Sequence, residues 1–245
     1  MEASASPQVV FLTGASSGIG ASIVRLLAAQ GHHVFATARR QDRLEQLKEE
    51  CSRSGAAGTV IPHALDVLDT EAHADAVQRC VTELGGIDVA IPNAGLGVFS
   101  PLDQADLNDW HHMVDVNVKG VLTTLHTCLP HLMESKGLVI HIGSVASRNV
   151  FPNSGVYCAT KHAVLALGES IRQDLKSQVA STTICPGAVN TDFIEQTRDA
   201  TLLDQYRPGF KTGMHPDFVA RQVLHAMESR GHGIISDITI RPDFL

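Results

Sequence analysis

The alternation of short apolar runs with longer helical patterns constrains the fold of this chain more than any other feature. Apolar, largely β-branched runs predict strands over 9–13, 33–38, 59–64, 87–92, 138–143, 181–185 and 234–240. Helical patterns between them predict helices over 18–30, 41–53, 70–84, 106–134, 155–177 and 216–229. Strands that alternate with helices indicate right-handed βαβ units, so we predict an α/β fold with a mostly parallel sheet covered on both faces.

Composition supports one globular domain. The 245 residues are 44% hydrophobic and 18% charged, which is ordinary for a protein with a sizeable core. With no linker, repeat or low-complexity run, we predict a single domain over residues 1–245. The net charge of −7 has no basic cluster beside it, which argues against a nucleic-acid partner. No apolar run approaches the roughly 20 residues of a membrane-spanning helix, so we expect no membrane partner.

Cysteine and histidine usage bears on location and metals. The 5 Cys are odd in number and scattered without a Cys-x-x-Cys pair, which fits a reducing compartment. Residues 1–6 are small and polar and lack a secretory pattern, so we expect a cytoplasmic protein. The 13 His occur singly or as adjacent pairs rather than at metal-ligand spacing, so we expect no metal.

One interval, 188–215, breaks the alternation. It contains Pro208, Gly209 and Gly213, and we predict no element there beyond a short helix. A long irregular segment inside a compact domain is usually functional, so we interpret it as a substrate lid. The alternative is a disordered surface insertion.

A glycine-rich turn follows the first predicted strand. Gly14, Gly18 and Gly20 stand between that strand and a helix, the context that a dinucleotide-binding turn requires. Glycines let the backbone approach a pyrophosphate, whose charge the helix N-terminus favours. Tight packing alone can also select glycine here.

The residues after the second strand indicate which dinucleotide binds. NAD-selective sites place a carboxylate about 20 residues beyond the glycines, whereas this chain has Arg39 and Arg40. A guanidinium pairs well with a 2′-phosphate, so we predict NADP(H). The alternative is a solvated basic pair at the start of the next helix.

A phenol and an ammonium stand four residues apart in Tyr157-x-x-x-Lys161, thirteen residues after Ser144. Residues at i and i+4 share a helix face, and a nearby cation is expected to lower the pKa of the phenol. A phenol adjusted in this way can exchange a proton near neutral pH. This pattern predicts an oxidoreductase.

Three further segments stand where ligands bind in such sheets, just past strand ends: Asp66-Val67, Asn93-Ala94-Gly95 and Pro186-Gly187. With these, the chain resembles the short-chain dehydrogenase/reductase family, in its compact single-domain NADP-dependent branch, over essentially its full length. The matching motifs are Thr13–Gly20, Asp66-Val67, Asn93-Ala94-Gly95, Asn117-Val118-Lys119-Gly120, Ser144, Tyr157-x-x-x-Lys161 and Pro186-Gly187-x-x-x-Thr191. The resemblance implies a single-domain Rossmann-type fold with a seven-stranded sheet. Pro92 departs from the family, which often has a second Asn before Asn93.

The resemblance also implies roles for individual residues. Tyr157 is the expected general acid/base, Lys161 lowers its pKa and holds the nicotinamide ribose, Ser144 binds the substrate oxygen, and Asn117 supports a water beside Lys161. The expected cofactor contacts are Gly14, Ser16, Ser17, Gly18, Ile19 and Gly20 at the pyrophosphate, Arg39 and Arg40 at the 2′-phosphate, Asp66 and Val67 at the adenine, Asn93, Ala94 and Gly95 along the cleft, and Pro186, Gly187, Val189 and Thr191 at the carboxamide end, together with Tyr157 and Lys161.

We therefore predict NADP(H)-dependent interconversion of a carbonyl and an alcohol. The expected substrate wall is apolar: Leu96, Phe99, Val145, Val150, Phe151, Ala188, Phe193, Ile194, Leu202, Leu203, Tyr206 and Phe210, although each could equally be ordinary packing. Alternatives are reduction of 3-oxoacyl groups on a carrier protein, which needs more basic surface than Arg172 and Lys176 offer, and a catalytically silent NADP(H)-binding regulator. Relatives in the family pair their long helices, so we also expect a homodimer or homotetramer.

Overall fold

Seven strands form one parallel sheet in the order β3-β2-β1-β4-β5-β6-β7. The computed structural model describes residues 6–243, so the two ends of the predicted domain, residues 1–5 and 244–245, lie outside the described residues. The strands are β1 (Val9–Thr13), β2 (His33–Ala38), β3 (Val60–Ala64), β4 (Val89–Ile91), β5 (Leu138–Ile142), β6 (Ala180–Pro186) and β7 (Asp237–Ile240). The prediction of a seven-stranded Rossmann-type sheet is confirmed, and every strand pairing is parallel.

Helices cover both faces of the sheet. They are α1 (Gly18–Ala29), α2 (Gln41–Arg53), α3 (Thr70–Leu84), α4 (Leu107–Val114), α5 (Gly120–Ser135), α6 (Gly155–Asp174), α7 (Ala200–Lys211) and α8 (Pro216–Glu228). Apolar side chains of α1, α2 and α8 pack on one face with Val10 and Leu12 of β1. Those of α3, α5 and α6 pack on the other with Val9 and Phe11. Because both faces are covered, β1 is buried throughout, and its residues Val9–Leu12 form an uninterrupted apolar run without alternation.

The strand order creates the crevice in which a ligand can bind. From β1 the chain builds outward to β2 and β3, and then returns to place β4 on the other side of β1. Crossover helices therefore leave in opposite directions at the carboxyl ends of β1 and β4. Ligands bind at such a switch point in open α/β sheets.

Four predicted elements differ clearly from the observed ones. The seventh strand, predicted over 234–240, begins only at Asp237. The helix expected over 106–134 is interrupted by a π-helical segment, Asp115–Lys119, between α4 and α5. The fourth strand is only three residues long and ends before Pro92. The lid interval was expected to contain little helix, but it holds a 3₁₀ turn, Asp192–Gln196, and the 12-residue helix α7.

Helix α7 forms although it contains Pro208. The Asp199 side chain caps the helix by accepting hydrogen bonds from the backbone N–H groups of Thr201 and Leu202. Pro208 stands in the last turn, where Thr212 N still bonds to the Pro208 carbonyl. The proline was therefore a poor guide to where this helix stops. Among residues 6–243, no helix combines the length and apolar character needed to traverse a lipid bilayer.

Candidate active site

The glycine-rich turn lies at the carboxyl end of β1. Gly14 and Gly18 have φ values of 69° and 53°, in the left-handed region that favours glycine. A Cβ on Gly20 would lie 2.3 Å from the Gly14 carbonyl oxygen, and one on Gly14 would lie 2.8 Å from the Ala94 Cα. The turn is therefore a closely packed cradle that side chains would fill. Its geometry suits a pyrophosphate at the N-terminus of α1.

Asn93 ties this turn to the end of β4. Its Nδ2 donates to the carbonyl oxygens of Thr13 (2.9 Å) and Gly14 (3.1 Å). In return, the Thr13 hydroxyl accepts from the backbone N–H groups of Asn93 and Ala94, both at 3.1 Å. Pro92 does not disturb this network. The two strand ends that border the crevice are thus fixed to each other by hydrogen bonds at their termini.

Arg40 reaches back to the glycine-rich turn. Its Nη2 lies 2.9 Å from the Ser16 hydroxyl and 2.8 Å from the Ser17 hydroxyl. Arg39 is exposed and lines the same end of the cleft. Asp66 also lines this end, where one carboxylate oxygen accepts a hydrogen bond from Leu68 N. Two guanidinium groups therefore border this end, and Arg40 is the one held in place.

Ser144 follows β5 after one residue, Gly143, and caps a 3₁₀ turn, Val145–Ser147. Its backbone N–H donates to the Ser147 hydroxyl, and its own Oγ accepts from Ala146 N, both at 3.1 Å. This reciprocal capping box holds the side chain in one orientation. Because Oγ is the acceptor in that bond, the hydroxyl proton is left to donate elsewhere.

Tyr157 and Lys161 lie on one face of α6, as their spacing predicted. The Lys161 Nζ stands 5.9 Å from the centre of the Tyr157 ring and donates a 2.9 Å hydrogen bond to the Ile142 carbonyl. Both side chains are buried, at 9% and 7% exposure. The bond to Ile142 joins the helix to the end of β5, next to Ser144.

The pKa values differ from what the sequence suggested. Burial raises the pKa of Tyr157 to about 12, and a hydrogen bond from Ser144 opposes part of that rise. Burial also lowers the pKa of Lys161 to about 8. The expectation of a lowered phenol pKa is therefore wrong for this geometry. Desolvation penalises the charged form of both groups and is the largest cause of both pKa shifts.

Asn117 lies in the π-helical segment Asp115–Lys119 and is almost fully buried. Its Oδ1 accepts from Leu96 N, and its Nδ2 donates to the Leu96 carbonyl and to the Thr160 hydroxyl, at 2.8–3.1 Å. Thr160 in turn donates to the Tyr157 carbonyl. The side chain thereby links the segment after β4 to α6. Its predicted support of a water beside Lys161 stays a prediction.

A single cleft of about 780 Å³ joins these parts. It is lined by every predicted cofactor-contact residue and by Ser144, Tyr157 and Lys161, whereas Asn117 lies behind its wall. Of the predicted substrate wall, Leu96, Phe99, Val145, Phe151, Ala188, Phe193, Tyr206 and Phe210 line the cleft. Val150, Ile194, Leu202 and Leu203 do not, and Ile194 and Leu202 are buried instead in the packing beneath the segment.

The cleft has two chemically distinct ends. The end that we call the cofactor end contains the glycine-rich turn, Arg39, Arg40 and Asp66. The opposite end, which we call the aromatic end, contains the rings of Phe99, Tyr157, Phe193, Tyr206 and Phe210, with neighbouring centroids 5.2–6.5 Å apart. Three of these rings come from the interval 188–215. Ser144 and Lys161 stand beside Tyr157, where the aromatic end meets the rest of the cleft.

Sequence reasoning missed three supporting residues. Thr13 and Ser147 make the hydrogen bonds that hold Asn93 and Ser144, and single polar residues at strand ends gave no signal of those bonds. Gly97 is close to Phe193, since a Cβ there would lie 2.5 Å from the Phe193 Cζ. An isolated glycine outside a predicted turn was the only available hint. Within residues 6–243, no group of three or more His, Cys, Asp or Glu side chains could hold a metal ion.

Comparison with known proteins agrees with this architecture. The family model for short chain dehydrogenases matches residues 8–202. An uncharacterized oxidoreductase of Staphylococcus saprophyticus is 35% identical over 239 residues, which is 96% of each chain. The alcohol dehydrogenase of the archaeon Thermococcus sibiricus, solved with 5-hydroxy-NADP, superposes with a TM-score of 0.86 at 30% identity and covers 97% of both chains.

A second solved structure gives the same result. A serine dehydrogenase in its closed form with NADP⁺ has a TM-score of 0.85 at 32% identity, over 96% of this chain and 94% of that one. The matches in sequence and in structure both extend over nearly the whole chain, and they include the glycine-rich turn and the Tyr157 helix. The chain therefore belongs to the short-chain dehydrogenase/reductase family of oxidoreductases.

Proposed function

We propose that this protein is an NADP(H)-dependent oxidoreductase that interconverts a carbonyl compound and a primary or secondary alcohol. One observation carries the proposal. Tyr157, Lys161 and Ser144 converge in the middle of a cleft that has a glycine cradle at one end and an apolar wall at the other. A dinucleotide and a substrate can thus meet beside a proton donor.

The proton chemistry follows from the two hydroxyl groups. When a ketone is reduced, negative charge develops on its oxygen, and donors aimed there stabilise the transition state. The Ser144 hydroxyl, oriented by the hydrogen bond that its oxygen accepts from Ala146 N, donates to the substrate oxygen. The Tyr157 phenol, which burial keeps protonated, gives its proton to the same oxygen. The bound dinucleotide supplies the hydride.

Lys161 and Asn117 have supporting roles in this proposal. Lys161 binds the nicotinamide ribose, and its remaining charge assists Tyr157 when the phenol loses its proton. Asn117 fixes the segment around Leu96 against Thr160, and so sets the distance between α6 and the cleft floor. Neither group needs to contact the substrate.

The choice of NADP(H) is supported by charge at the cofactor end. Arg40 is held by Ser16 and Ser17, where it can pair with a 2′-phosphate, and Arg39 stands beside it. Val67, Gly95, Pro186, Gly187, Val189 and Thr191 line the remainder of the dinucleotide path. The two solved relatives described above contain NADP or a hydroxylated NADP, which also favours NADP(H) as the cofactor of this chain.

The aromatic end favours an uncharged, apolar substrate. The charged side chains that line the described cleft are Arg39, Arg40, Asp66, Lys161 and Asp192, and Asp192 also lines a neighbouring polar pocket beside Gly18. An acyl chain on an acidic carrier protein requires a basic docking surface. Arg172, which could contribute to one, is instead bonded to Glu169 and to the Ser236 carbonyl. This makes the carrier-protein reductase the weaker candidate.

Residues 188–215 are proposed to act as the substrate lid. The interval packs three rings over the substrate position, and it is attached to α4 by ion pairs from Arg198 to Asp106 and Asp109.

We also propose a homodimer or homotetramer, because Val114, Leu122 and Met133 of the α4–α5 helix expose apolar side chains. Size-exclusion chromatography with light scattering tests the assembly.

We further propose a cytoplasmic location. All five cysteines are free and buried, which supports it.

The test is oxidation of NADPH with a panel of ketones, aldehydes and 3-oxoacyl thioesters. We expect turnover of apolar carbonyls, and Tyr157→Phe should lower kcat by roughly 10²- to 10⁴-fold while NADPH binding is retained. Tyr206→Phe is the matched control, because it removes a phenol of the aromatic end that lies away from Lys161. Near-normal turnover in Tyr157→Phe would remove Tyr157 from the mechanism. Tight NADPH binding without turnover of any compound would favour the regulator.

A further inference from the structure

We propose that Phe193 determines substrate specificity, and that the preferred substrate carries a flat aromatic group near its carbonyl. This inference rests on the proposed function, since it names the substrate class of the same cleft. Its evidence is separate, however, and comes from the rings of the aromatic end rather than from the proton donors.

Phe193 is the ring of the lid that meets the catalytic tyrosine. Its centroid lies 5.3 Å from that of Tyr157, at an interplanar angle of 59°. It is the first apolar side chain of the 3₁₀ turn Asp192–Gln196, which directly follows Thr191 at the cofactor end. Among the ring contacts of Tyr157, Phe193 is the one that comes from the interval 188–215.

Phe193 is supported on two further sides. The Phe210 ring stacks on it with a centroid distance of 6.0 Å and an angle of 25°. Gly97 lies against its edge, where any Cβ would overlap the ring. The ring thus has a defined place, set by one aromatic neighbour and by the absence of a side chain at residue 97. A wall held in this way can discriminate between substrate shapes.

The surrounding rings extend the flat surface beyond Phe193. Phe99 contacts Tyr157, Phe193 and Tyr206, with centroids 5.2–6.5 Å apart. The Tyr206 hydroxyl is directed away, because it donates to the Pro152 carbonyl and accepts from Asn153 Nδ2, both at 3.3 Å. The Tyr206 hydroxyl is thus already paired, and the rings of the aromatic end line the cleft together with the polar side chains of Ser154 and Gln196.

Such a surface favours an aromatic ring over a saturated one. Transfer from water follows apolar area, so a merely hydrophobic pocket binds a cyclohexyl group at least as well as a phenyl group. Edge-to-face and offset-stacked contacts between aromatic rings add stabilisation that a saturated ring lacks. One or two such contacts correspond to about a two- to tenfold preference. A preference for the phenyl compound therefore indicates an aromatic pocket, whereas an equal or opposite preference indicates a merely hydrophobic one.

The experiment uses two ketones with the same reacting group, 4-phenylbutan-2-one and 4-cyclohexylbutan-2-one. We expect the wild-type protein to show a kcat/KM about two- to tenfold higher for the phenyl compound. Phe193→Leu should bring the ratio close to one by lowering turnover of the phenyl ketone. Phe218→Leu is the matched control, since it removes an exposed phenylalanine on α8, outside the cleft, and should keep the wild-type ratio.

A binding measurement separates this proposal from the proposed function. Calorimetry of the NADP⁺ complex with benzamide and with cyclohexanecarboxamide should show tighter binding of benzamide, and Phe193→Leu should abolish the difference. If Tyr157-dependent turnover occurs but Phe193→Leu leaves the ratio unchanged, the specificity proposal fails while the function stands. If no carbonyl is reduced but benzamide binds through Phe193, the function fails while the aromatic site stands. Equal binding of both amides, or of neither, overturns the specificity proposal.

Discussion

The two ends of the cleft are built by different kinds of contact. At the cofactor end, backbone atoms of strand termini meet one another directly, and Asn93, Thr13 and Arg40 close the structure with short hydrogen bonds. At the aromatic end, side-chain rings of a loop and a helix pack on one another, and surface ion pairs attach them to α4. The cofactor end is thus fixed by backbone geometry. The aromatic end is fixed by the packing of side chains, which can adopt other rotamers.

This difference matters for function. Every reaction of the proposed type uses the same dinucleotide, so a rigid end suits it. Substrates vary in shape, and ring contacts of about 1 kcal/mol each can be exchanged for contacts with a ligand. We therefore expect changes at the cofactor end to be costly, and changes at the aromatic end to alter selectivity more than stability.

The sharpest comparison uses the same substitution at each end. Gly20→Ala would place a Cβ 2.3 Å from the Gly14 carbonyl oxygen, which is backbone and cannot move aside. We expect a loss of roughly 3 kcal/mol or more in the free energy of unfolding, with NADPH binding abolished. Gly97→Ala instead overlaps the tip of the Phe193 side chain, which is not backbone but can shift only by disturbing its ring contacts, so we expect a smaller loss of about 1–2 kcal/mol.

Urea unfolding and NADPH titration of both variants measure this contrast. Gly233→Ala is a suitable control, because a Cβ there meets nothing within 4 Å. Equal destabilisation by Gly20→Ala and Gly97→Ala would remove the distinction between a rigid and an adaptable end.

Arg40 tests whether charge at the cofactor end selects the dinucleotide. Arg40→Ala removes a charge-assisted partner for a 2′-phosphate, which is worth about 1.5–3 kcal/mol. We expect the KM for NADPH to rise roughly 10- to 100-fold, with little change in the KM for NADH. Arg43→Ala, on the exposed first turn of α2, is the matched control. Equal effects of Arg40→Ala on both cofactors would contradict the assignment.

A substitution of Lys161 tests the energetic cost of the proposed catalytic centre. Because its pKa is lowered to about 8 in the folded protein, the unfolded chain binds more protons between pH 8 and 10.5. The free energy of unfolding of the wild type therefore rises as the pH increases from about 8 to 10.5. Below that window Lys161 carries a charge that is buried in the folded protein. Lys161→Met should therefore be about 1–2 kcal/mol more stable than wild type at pH 7.

That advantage should shrink as the pH approaches 10, and the variant should be inactive. Denaturant unfolding at pH 7, 8 and 9.5 measures the trend, with the exposed Lys136→Met as control. A variant that is less stable than wild type at pH 7 would show that the bond to Ile142 outweighs the cost of the buried charge.

The smallest effect is expected at the ion pairs that attach the proposed lid, residues 188–215, to α4. Arg198→Ala removes ion pairs with Asp106 and Asp109, but the arginine side chain is 67% exposed, so we expect under about 1 kcal/mol. The KM for substrate should change less than about threefold, and added salt should reproduce the effect in wild type. Arg25→Ala, which removes an exposed pair with Glu50, is the matched control. A tenfold rise in KM would assign the ion pairs a role in closing the lid.

The sequence predicted the cofactor end better than the aromatic end for a physical reason. A turn such as Gly14–Gly20 needs backbone conformations that few residue types other than glycine adopt. The turn can therefore be recognised as a motif in the amino-acid sequence. The interval 188–215 was predicted to hold no more than a short helix, but the Asp199 cap and the packing of Tyr206 and Phe210 stabilise the 12-residue helix α7 despite Pro208 and Gly209.

The spacing of Tyr157 and Lys161 in the sequence also did not predict the direction of the pKa shift of the phenol. Tyr157 and Lys161 were correctly placed on one helix face, but the direction of the phenol pKa shift depends on burial, which only the packed structure reveals. The π-helical segment around Asn117 was likewise hidden, because its apolar pattern continues the helices on either side.

That segment has a consequence for the length of the chain. A π turn holds one more residue than the α-helical turn it replaces, so the helix from Leu107 to Ser135 accommodates a one-residue insertion. Deleting one residue there would give a more regular helix and rotate everything on one side of it by about 100°. Asn117 would then leave Leu96 and Thr160. A homologue or design shortened by one residue at this point would gain a better helix and lose the link between the cleft floor and the helix that carries Tyr157.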